Sequence, residues 1–200
     1  MVNNMKSWND DAGDWQNLAA THQVPRYDAI ARIIGTFCPR GSILDVGCGE
    51  AVLLNYLPTP AKYLGLEPSM KAAESARVNC AQDSILHTTA EDFDAGQRQW
   101  DCIIFNEMLY YTAAPLTLMR KYAGLLRPHG IMIISIFQKP ERSLKRRLFG
   151  WALRRISNMR CTKIVHGFMT TNGWTIEVDD FVAIPGRSDC WRIFAARPRM

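Results

Sequence analysis

Short apolar runs alternate with helical patterns through the first two thirds of this sequence. The runs are Ile43–Val46, Tyr63–Leu66, Ile85–Leu86, Cys102–Phe105 and Ile131–Ile136. Helical spacing is found at Ile30–Phe37, Ala51–Leu57, Met70–Asn79 and Pro115–Leu126. Continuous apolar strands separated by helices are typical of a parallel sheet that is covered on both faces. The alternation therefore predicts an α/β domain.

The pattern changes after Ile136. A helix is expected around Lys163–Thr171, and two β-type runs follow it at Trp174–Val178 and Trp191–Ala195. The turn residues of Pro185–Ser188, which lie between these runs, indicate a hairpin. We therefore expect a mostly parallel sheet with an antiparallel C-terminal hairpin.

Length and composition indicate one domain that spans residues 1–200. The chain has 200 residues, of which 48% are hydrophobic and 22% are charged, which suffices for one substantial core. No apolar stretch approaches the roughly 18 residues that cross a bilayer, and the polar start lacks a signal-peptide core, so a cytoplasmic location is expected. The six cysteines are scattered, without metal-ligand spacing, and no metal site is expected.

The net charge of +5 is concentrated in one segment, residues 138–160, which carries eight basic residues and one glutamate. We interpret this segment as an insertion near the acceptor site, with an amphipathic helix over Ser143–Ser157. Its basic face has three open interpretations: a pocket wall for an anionic acceptor, a weak membrane-surface contact through 143–157, or a solvated surface. The aromatic residues of the segment do not alternate with its charges in the manner of single-strand binders, so nucleic acid is not the expected partner.

A glycine loop, Gly47-Cys48-Gly49, follows the first predicted strand. Ligands of open α/β sheets bind at the carboxyl ends of the strands, and glycines allow a ligand to approach the backbone, although a tight turn alone would also use them. The third glycine of the dinucleotide fingerprint would fall at Val52, and no Gly-Lys-Ser/Thr follows the loop. The loop therefore favours a nucleoside ligand without a phosphate.

An acidic residue, Glu67, ends the second predicted strand and lies eighteen positions beyond Gly49. An acid at this place in an α/β fold is positioned for ribose hydroxyls, because one carboxylate can accept two hydrogen bonds from a diol. A solvated glutamate at a strand end is the alternative. Together with the glycine loop, Glu67 indicates a nucleoside cofactor.

Five segments resemble the motifs of class I S-adenosylmethionine-dependent methyltransferases of the small-molecule type. In order they are Leu44–Gly49, Gly65–Pro68, Thr89–Phe93, Trp100–Glu107 and Leu126–Ile131. The last differs from the family pattern in having His129 where a second glycine is usual. The resemblance covers Ile30 to Ile136 and implies a Rossmann-like sheet of about seven strands that binds S-adenosylmethionine.

The resemblance also implies roles for individual residues. The cofactor-binding set is Arg26, Asp45, Gly47, Cys48, Gly49, Glu67, Pro68, Ala90, Glu91, Asp92 and Asn106. In this set Glu67 binds the ribose diol, and Glu91 or Asp92 recognises the adenine amine together with backbone near Ala90. Backbone around Gly47 and Asn106 holds the methionyl ammonium.

Two members of this set have less direct assignments. Asp45 organises the glycine loop or reaches the ammonium through water. Arg26, just before the first helix, is the candidate for the methionyl carboxylate, although a surface arginine would be the commoner outcome.

Methyl transfer from a sulfonium is an in-line displacement, so alignment of the reactants supplies much of the acceleration. A hydroxyl or ammonium acceptor must also lose a proton. The candidates for this step follow strand four or lie on a later helix: Glu107, Tyr110, Tyr111 and His166, with His22 as a further option. His129 is discounted because its turn is remote from the carboxyl ends of the strands. The string Glu107–Tyr111 is similar to one in nodulation N-methyltransferases that act on amino sugars.

The predicted function is methyl transfer to an oxygen or nitrogen of a small molecule. An RNA methyltransferase, supported only by the basic segment, and an inactive cofactor-binding accessory subunit are the alternatives. Residues 1–26 are expected to form an N-terminal lid or cap. Their aromatic residues Trp8 and Trp15, with Tyr27 after them, either cover the cofactor or pack the terminus onto the sheet.

Overall fold

The computed structural model describes residues 20–57, 62–80, 84–138, 151–171 and 173–199. Its strands are β1 Ser42–Val46, β2 Lys62–Glu67, β3 Ile85–His87, β4 Trp100–Asn106, β5 Leu126–Gln138, β6 Trp174–Ala183 and β7 Cys190–Pro198. Its α-helices are α1 Val24–Phe37, α2 Met70–Asn79, α3 Pro115–Ala123 and α4 Trp151–Thr170. Residues 1–19 of the expected lid and residues 139–150 of the basic segment lie outside the described residues.

The strands form one sheet in the order β3-β2-β1-β4-β5-β7-β6. Strands β1 to β5 run parallel, whereas β7 pairs antiparallel with both β5 and β6. The mostly parallel sheet and its antiparallel end are as predicted. Because β1 and β4 are adjacent at the centre, the loops that follow them open on the same edge of the sheet, where a ligand crevice forms.

Both faces of the sheet are covered, as the continuous apolar strands predict. On β4, Ile103 and Phe105 face one core cluster, whereas Cys102 and Ile104 face the other. The first cluster includes the apolar faces of α3 and α4, and the second includes those of α1 and α2. Parallel strands with buried residues on both faces need helices on both sides, and the four helices divide evenly between them.

The α-helix expected over Ala51–Leu57 does not form. The structure has only a short 3₁₀ turn, Val52–Tyr56, whose N–H groups bond three residues back, as in Leu54 N–H to Ala51 O at 3.0 Å. Ala51 itself has φ +55°, a left-handed conformation that cannot start an α-helix. The glycine loop therefore leads into a tight turn instead of an α-helix N-terminus.

Helix α4 corrects a second expectation. Residues 151–157 and 163–170, expected to belong to two separate helices around Ser143–Ser157 and Lys163–Thr171, lie in one continuous helix of 20 residues. No glycine or proline interrupts residues 151–166, and the Thr162 hydroxyl donates to the Asn158 carbonyl at 2.8 Å within the helix. Cys161, Val165 and Met169 are buried at four-residue spacing against the sheet.

A polar cluster fixes the opposite edge of the sheet, where β1 and β4 begin. Asp101 accepts hydrogen bonds from the backbone N–H of Ser42 at 2.7 Å and its hydroxyl at 2.8 Å, and from Arg127 at 2.9 Å. Burial opposes ionisation, but these bonds outweigh it and lower the pKa of Asp101. The cluster holds the two central strands in register far from the crevice. Within the described residues, no helix is long and apolar enough to cross a membrane.

Candidate active site

The glycine loop lies where the sequence predicts, at the carboxyl end of β1. Gly47 and Gly49 have φ values of +74° and +57°, which residues with a Cβ rarely adopt. A Cβ on Gly47 would lie 2.9 Å from the Cβ of Met108, in the loop after β4. The backbone N–H groups of Gly47 and Cys48 both donate to the Leu66 carbonyl on β2, at 2.8 and 3.0 Å. The loop is therefore held closely between strand β2 and the segment that follows β4.

Glu67 joins the loops after β1 and β2. Its side chain is buried, and each carboxylate oxygen accepts a backbone hydrogen bond at 2.8 Å, Oε2 from Gly49 and Oε1 from Ser69. Burial raises the pKa of Glu67 to about 7, although the two N–H donors oppose the rise. Each oxygen retains a further lone pair, so the carboxylate can still accept hydrogen bonds from a ligand diol.

Asp45 lies beneath the glycine loop. It accepts a hydrogen bond from the Tyr63 hydroxyl at 2.9 Å, and its Oδ1 has no hydrogen-bond partner among the described residues. Burial raises the pKa of Asp45 to about 7, against the opposing effects of Tyr63 and Arg26. Asp45 does not line the cavity described below. Of its two expected roles, this favours organisation of the glycine loop over contact with the ammonium through water.

Arg26 is buried on α1 and its guanidinium lies among aromatic rings. It forms an ion pair with Glu107, donates to the Tyr27 hydroxyl at 3.0 Å, and lies 5.0 Å from the ring centroid of Trp191 on β7. Burial lowers its pKa from the usual value. Its Nε has no hydrogen-bond partner among the residues that the structure describes, so the guanidinium retains a donor for an anionic group.

The segment after β4 carries the candidate catalytic side chains. Glu107 has φ +60°, and its Oε1 accepts a hydrogen bond from the Tyr110 hydroxyl at 3.2 Å while Oε2 pairs with Arg26. The ring of Tyr111 lies 4.7 Å from that of Tyr110 and is partly exposed. The preceding Asn106 is fixed by the hydroxyl of Ser135, which donates to its Oδ1 at 2.7 Å.

The loop after β3, residues 88–93, closes the site on another side. The Thr89 hydroxyl donates to the Asp92 carboxylate at 2.7 Å and accepts from the Asp92 N–H at 3.0 Å. Glu91 accepts a hydrogen bond from the Thr112 hydroxyl at 2.7 Å. Ala90 and Glu91 line the cavity, whereas Asp92 does not, so of the two acids expected near adenine Glu91 is the one placed to reach a ligand.

One cavity of about 590 Å³ joins these loops. The expected site residues that line it are Arg26, Gly47, Cys48, Gly49, Glu67, Pro68, Ala90, Glu91, Asn106, Glu107, Tyr110 and Tyr111. His166 is separated from them: it lies on the exposed side of α4 with its ring 6.3 Å from that of Phe194. A cavity of this size accommodates a drug-sized ligand, and it has glycine, carboxylate and guanidinium groups along its wall.

Several lining residues were not expected, among them Tyr27, Thr89, Met108, Thr117 and Lys121. Tyr27 was expected either in a cover over the cofactor or packed against the sheet; it is buried on α1 and stacks on Tyr56 with centroids 5.1 Å apart. Lys121 reads in the sequence as a solvated residue on the polar side of α3. Only its three-dimensional contacts distinguish it from the other surface lysines.

Comparison with known sequences identifies the type of domain. A family model described as a methyltransferase domain matches residues 17–170. The ubiquinone biosynthesis O-methyltransferase of Vibrio vulnificus is 29% identical over 160 residues, 74% of this chain and 66% of the relative. The corresponding enzyme of Cereibacter sphaeroides is 27% identical over 119 residues, 56% of this chain and 48% of the relative. The chain thus spans about half to two thirds of the length of these curated relatives.

Solved structures of methyltransferases share the fold. One is the N-methyltransferase NodS from Bradyrhizobium japonicum WM9 in complex with S-adenosyl-L-homocysteine. It has a TM-score of 0.73 at 14% sequence identity, and the match covers 98% of this chain and 97% of the NodS chain. The plantazolicin methyltransferase BpumL, in complex with a triazolic desmethylPZN analog and SAH, has a TM-score of 0.70 at 13% identity, with 98% and 95% coverage. These likenesses confirm the predicted seven-stranded sheet with its antiparallel end.

Proposed function

We propose, because the chain belongs to the methyltransferase domain family, that it transfers a methyl group from S-adenosylmethionine to an oxygen or nitrogen of a small molecule. The observation that carries the proposal is the shared cavity. It brings the glycine loop and Glu67 together with Glu107 and Tyr111 from the segment after β4. A cofactor site and candidate proton acceptors thus face one space.

The residues of the cavity fit the cofactor. The buried Glu67 carboxylate has lone pairs for a ribose diol, and the lack of a Cβ on Gly47 lets its backbone lie close to Met108 in the cavity wall. Arg26 has an Nε donor without a partner among the described residues, which suits the methionyl carboxylate. When bound, S-adenosylmethionine supplies an electrophilic methyl group on a positively charged sulfur.

Glu107 is the proposed proton acceptor for a hydroxyl or ammonium acceptor. Its carboxylate lines the cavity, and contacts from Tyr110 and Arg26 fix both oxygens. A fixed carboxylate beside the acceptor space can take a proton without reorganisation, as general base catalysis requires. Tyr111 is proposed to contact the acceptor, because its ring lines the same cavity and is partly exposed. His166 is left out of the proposal because it lies away from the cavity.

The described walls favour a neutral acceptor over an anionic one. The two cations among the described lining residues have other roles: Arg26 pairs with Glu107 and is assigned to the methionyl carboxylate, and Lys121 donates to backbone carbonyls. Carboxylates of Glu67 and Glu91 lie along the same walls. Among the described lining residues, neither cation is therefore left for an anionic acceptor.

Calorimetric titration with S-adenosylhomocysteine tests the cofactor proposal. Absence of binding at about 1 mM ligand, which corresponds to roughly −4 kcal/mol, would refute it. Replacing Glu67 by Ala is expected to weaken binding about 10-fold or more, because hydrogen bonds to a charged group are worth roughly 1.5–3 kcal/mol. Unchanged affinity would refute the ribose assignment.

Transfer of a labelled methyl group tests the acceptor class. Since the relatives are named O-methyltransferases of ubiquinone biosynthesis and a structural neighbour is an N-methyltransferase, the panel contains catechols, phenols, amines and amino sugars. Total RNA serves as the comparison. Labelling of RNA alone would favour the nucleic-acid alternative, and tight cofactor binding without transfer to any acceptor would favour the accessory subunit.

A further inference from the structure

Lys121 makes a cluster of contacts that the proposed roles do not use. Its ammonium donates to three backbone carbonyls of the loop after β3: Ala90 at 3.2 Å, Glu91 at 2.8 Å and Phe93 at 2.7 Å. An ammonium has three N–H donors, so its capacity is fully used. A side chain from α3 thus holds a loop that lies 28 to 31 residues earlier in the sequence.

Two further hydrogen bonds join the same segments. The Tyr122 hydroxyl, next to Lys121 on α3, donates to the Ala90 carbonyl at 3.0 Å. The Thr112 hydroxyl donates to the Glu91 carboxylate at 2.7 Å. Five hydrogen bonds therefore connect residues 90–93 to the chain between β4 and the end of α3, and they fix the loop from one side.

The carbonyls that Lys121 holds determine where the amides of the loop point. In a trans peptide the C=O and the following N–H point in opposite directions. Contact to the Ala90 carbonyl therefore orients the N–H of Glu91 away from the ammonium. The next N–H, that of Asp92, donates to the Thr89 hydroxyl within the loop. The loop that presents these groups also lines the cavity through Ala90 and Glu91.

From these contacts we propose that Lys121 is a positioning residue that holds loop 88–93 in the conformation in which the Glu91 N–H donates to N1, the acceptor beside the amine of the cofactor's adenine. The inference rests on the proposed cofactor. It assigns Lys121 to cofactor selectivity and not to acceptor binding, because an ammonium whose three donors are committed has none left for an anionic acceptor. Tyr122 supports the same loop through Ala90.

The test compares two probes on the full chain: S-adenosylhomocysteine and S-inosylhomocysteine, in which a carbonyl replaces the adenine amine. The wild-type protein is expected to bind the adenosyl probe about 10-fold or more tightly than the inosyl probe, as expected for one well-positioned hydrogen bond worth about 1.4 kcal/mol. In the inosyl probe N1 carries a hydrogen and cannot accept a hydrogen bond. Lys121→Met should therefore weaken binding of the adenosyl probe by about the same factor and leave binding of the inosyl probe within about twofold, because its effect is on the donor to N1. Selectivity would then be lost.

Arg120→Met is the matched control, since Arg120 is an exposed neighbour on α3 that does not line the cavity. It should retain the wild-type selectivity. Tyr122→Phe, which removes one hydroxyl and keeps the ring, should reduce selectivity by about twofold to threefold, and it provides the test should Lys121→Met fail to fold. Thermal unfolding of each variant monitors the fold.

The outcomes separate the two proposals. Failure of the wild-type protein to bind either probe refutes the cofactor proposal itself. Binding of both probes with equal affinity leaves the cofactor proposal intact and overturns the inference about the loop. Retained selectivity in Lys121→Met also overturns the inference, as does an equal weakening of both probes, which would indicate a general loss of structure.

Discussion

Replacing Asp45 by Asn should change how the stability of the protein depends on pH. The wild-type carboxylate is buried, and its pKa rises from an ordinary value of 3.8 to about 7. Between these values the native state holds a proton that the unfolded state has lost, so native stability falls as pH rises through this window. An Asn side chain does not titrate in this range, and its oxygen can still accept the hydrogen bond from the Tyr63 hydroxyl.

The magnitude follows from the rise in pKa. Each tenfold change in proton affinity is worth about 1.4 kcal/mol. The raised pKa therefore destabilises the native state by about 4 kcal/mol above pH 7, and this destabilisation vanishes below pH 4. Relative to the wild type, Asp45→Asn should therefore gain about 2–3 kcal/mol of unfolding free energy between pH 5 and pH 8. The Asn amide nitrogen replaces an oxygen without a described partner, which adds a cost that is independent of pH.

Urea denaturation at pH 5, 6, 7 and 8 and constant ionic strength measures this difference. The informative quantity is the pH dependence of the difference in unfolding free energy between variant and wild type. The cost of the amide is the same at every pH and does not affect this dependence. Asp101→Asn is the control: the pKa of Asp101 is lowered, so its carboxylate is ionised throughout this range and its gap should stay constant. Parallel curves for Asp45→Asn and the wild type would refute the buried-proton argument.

Three further substitutions concern binding and turnover. Gly47→Ala should weaken S-adenosylhomocysteine binding about 10-fold or more by calorimetry, because left-handed backbone costs Ala about 1–2 kcal/mol and its Cβ would lie 2.9 Å from that of Met108. Wild-type affinity should rise from pH 6 to pH 8, since ligand hydroxyls favour ionised Glu67 with its pKa of about 7, and Glu67→Gln should bind weakly at every pH. Glu107→Gln should lower turnover of the acceptor identified in the panel by about 100-fold or more, and near-normal turnover would remove Glu107 as the base.

Much of the fold could be predicted because parallel strands that are buried on both faces leave continuous apolar runs. Each of the five runs corresponds to a strand, and the turn at Pro185–Ser188 correctly predicts the hairpin. Errors occur where local pattern and backbone conformation diverge. Nothing in the apolar spacing of Ala51–Leu57 indicates that Ala51 is left-handed, and the polar residues around Asn158 gave no sign that α4 is continuous.

The cofactor side of the cavity was more predictable than its other walls. Glycines and an acid at strand ends are constrained by backbone geometry, so Gly47, Gly49 and Glu67 were recognisable as candidates from their spacing together with the family motifs. The contacts of Lys121 depend instead on how α3 packs beside a loop from another part of the chain, which periodicity does not encode. His166 on α4 was expected in the site because of its chemistry, but its side chain lies away from the cavity.

The stacking of Trp191 on Arg26 has a consequence for the order of events during synthesis. Arg26 belongs to the first helix, whereas Trp191 lies on β7, which is the last of the described strands and pairs antiparallel with β5. On a ribosome that synthesises from the N-terminus, the glycine loop and Glu67 therefore emerge well before the residues around the Arg26 guanidinium are complete. Those surroundings form only when β7 has inserted beside β5.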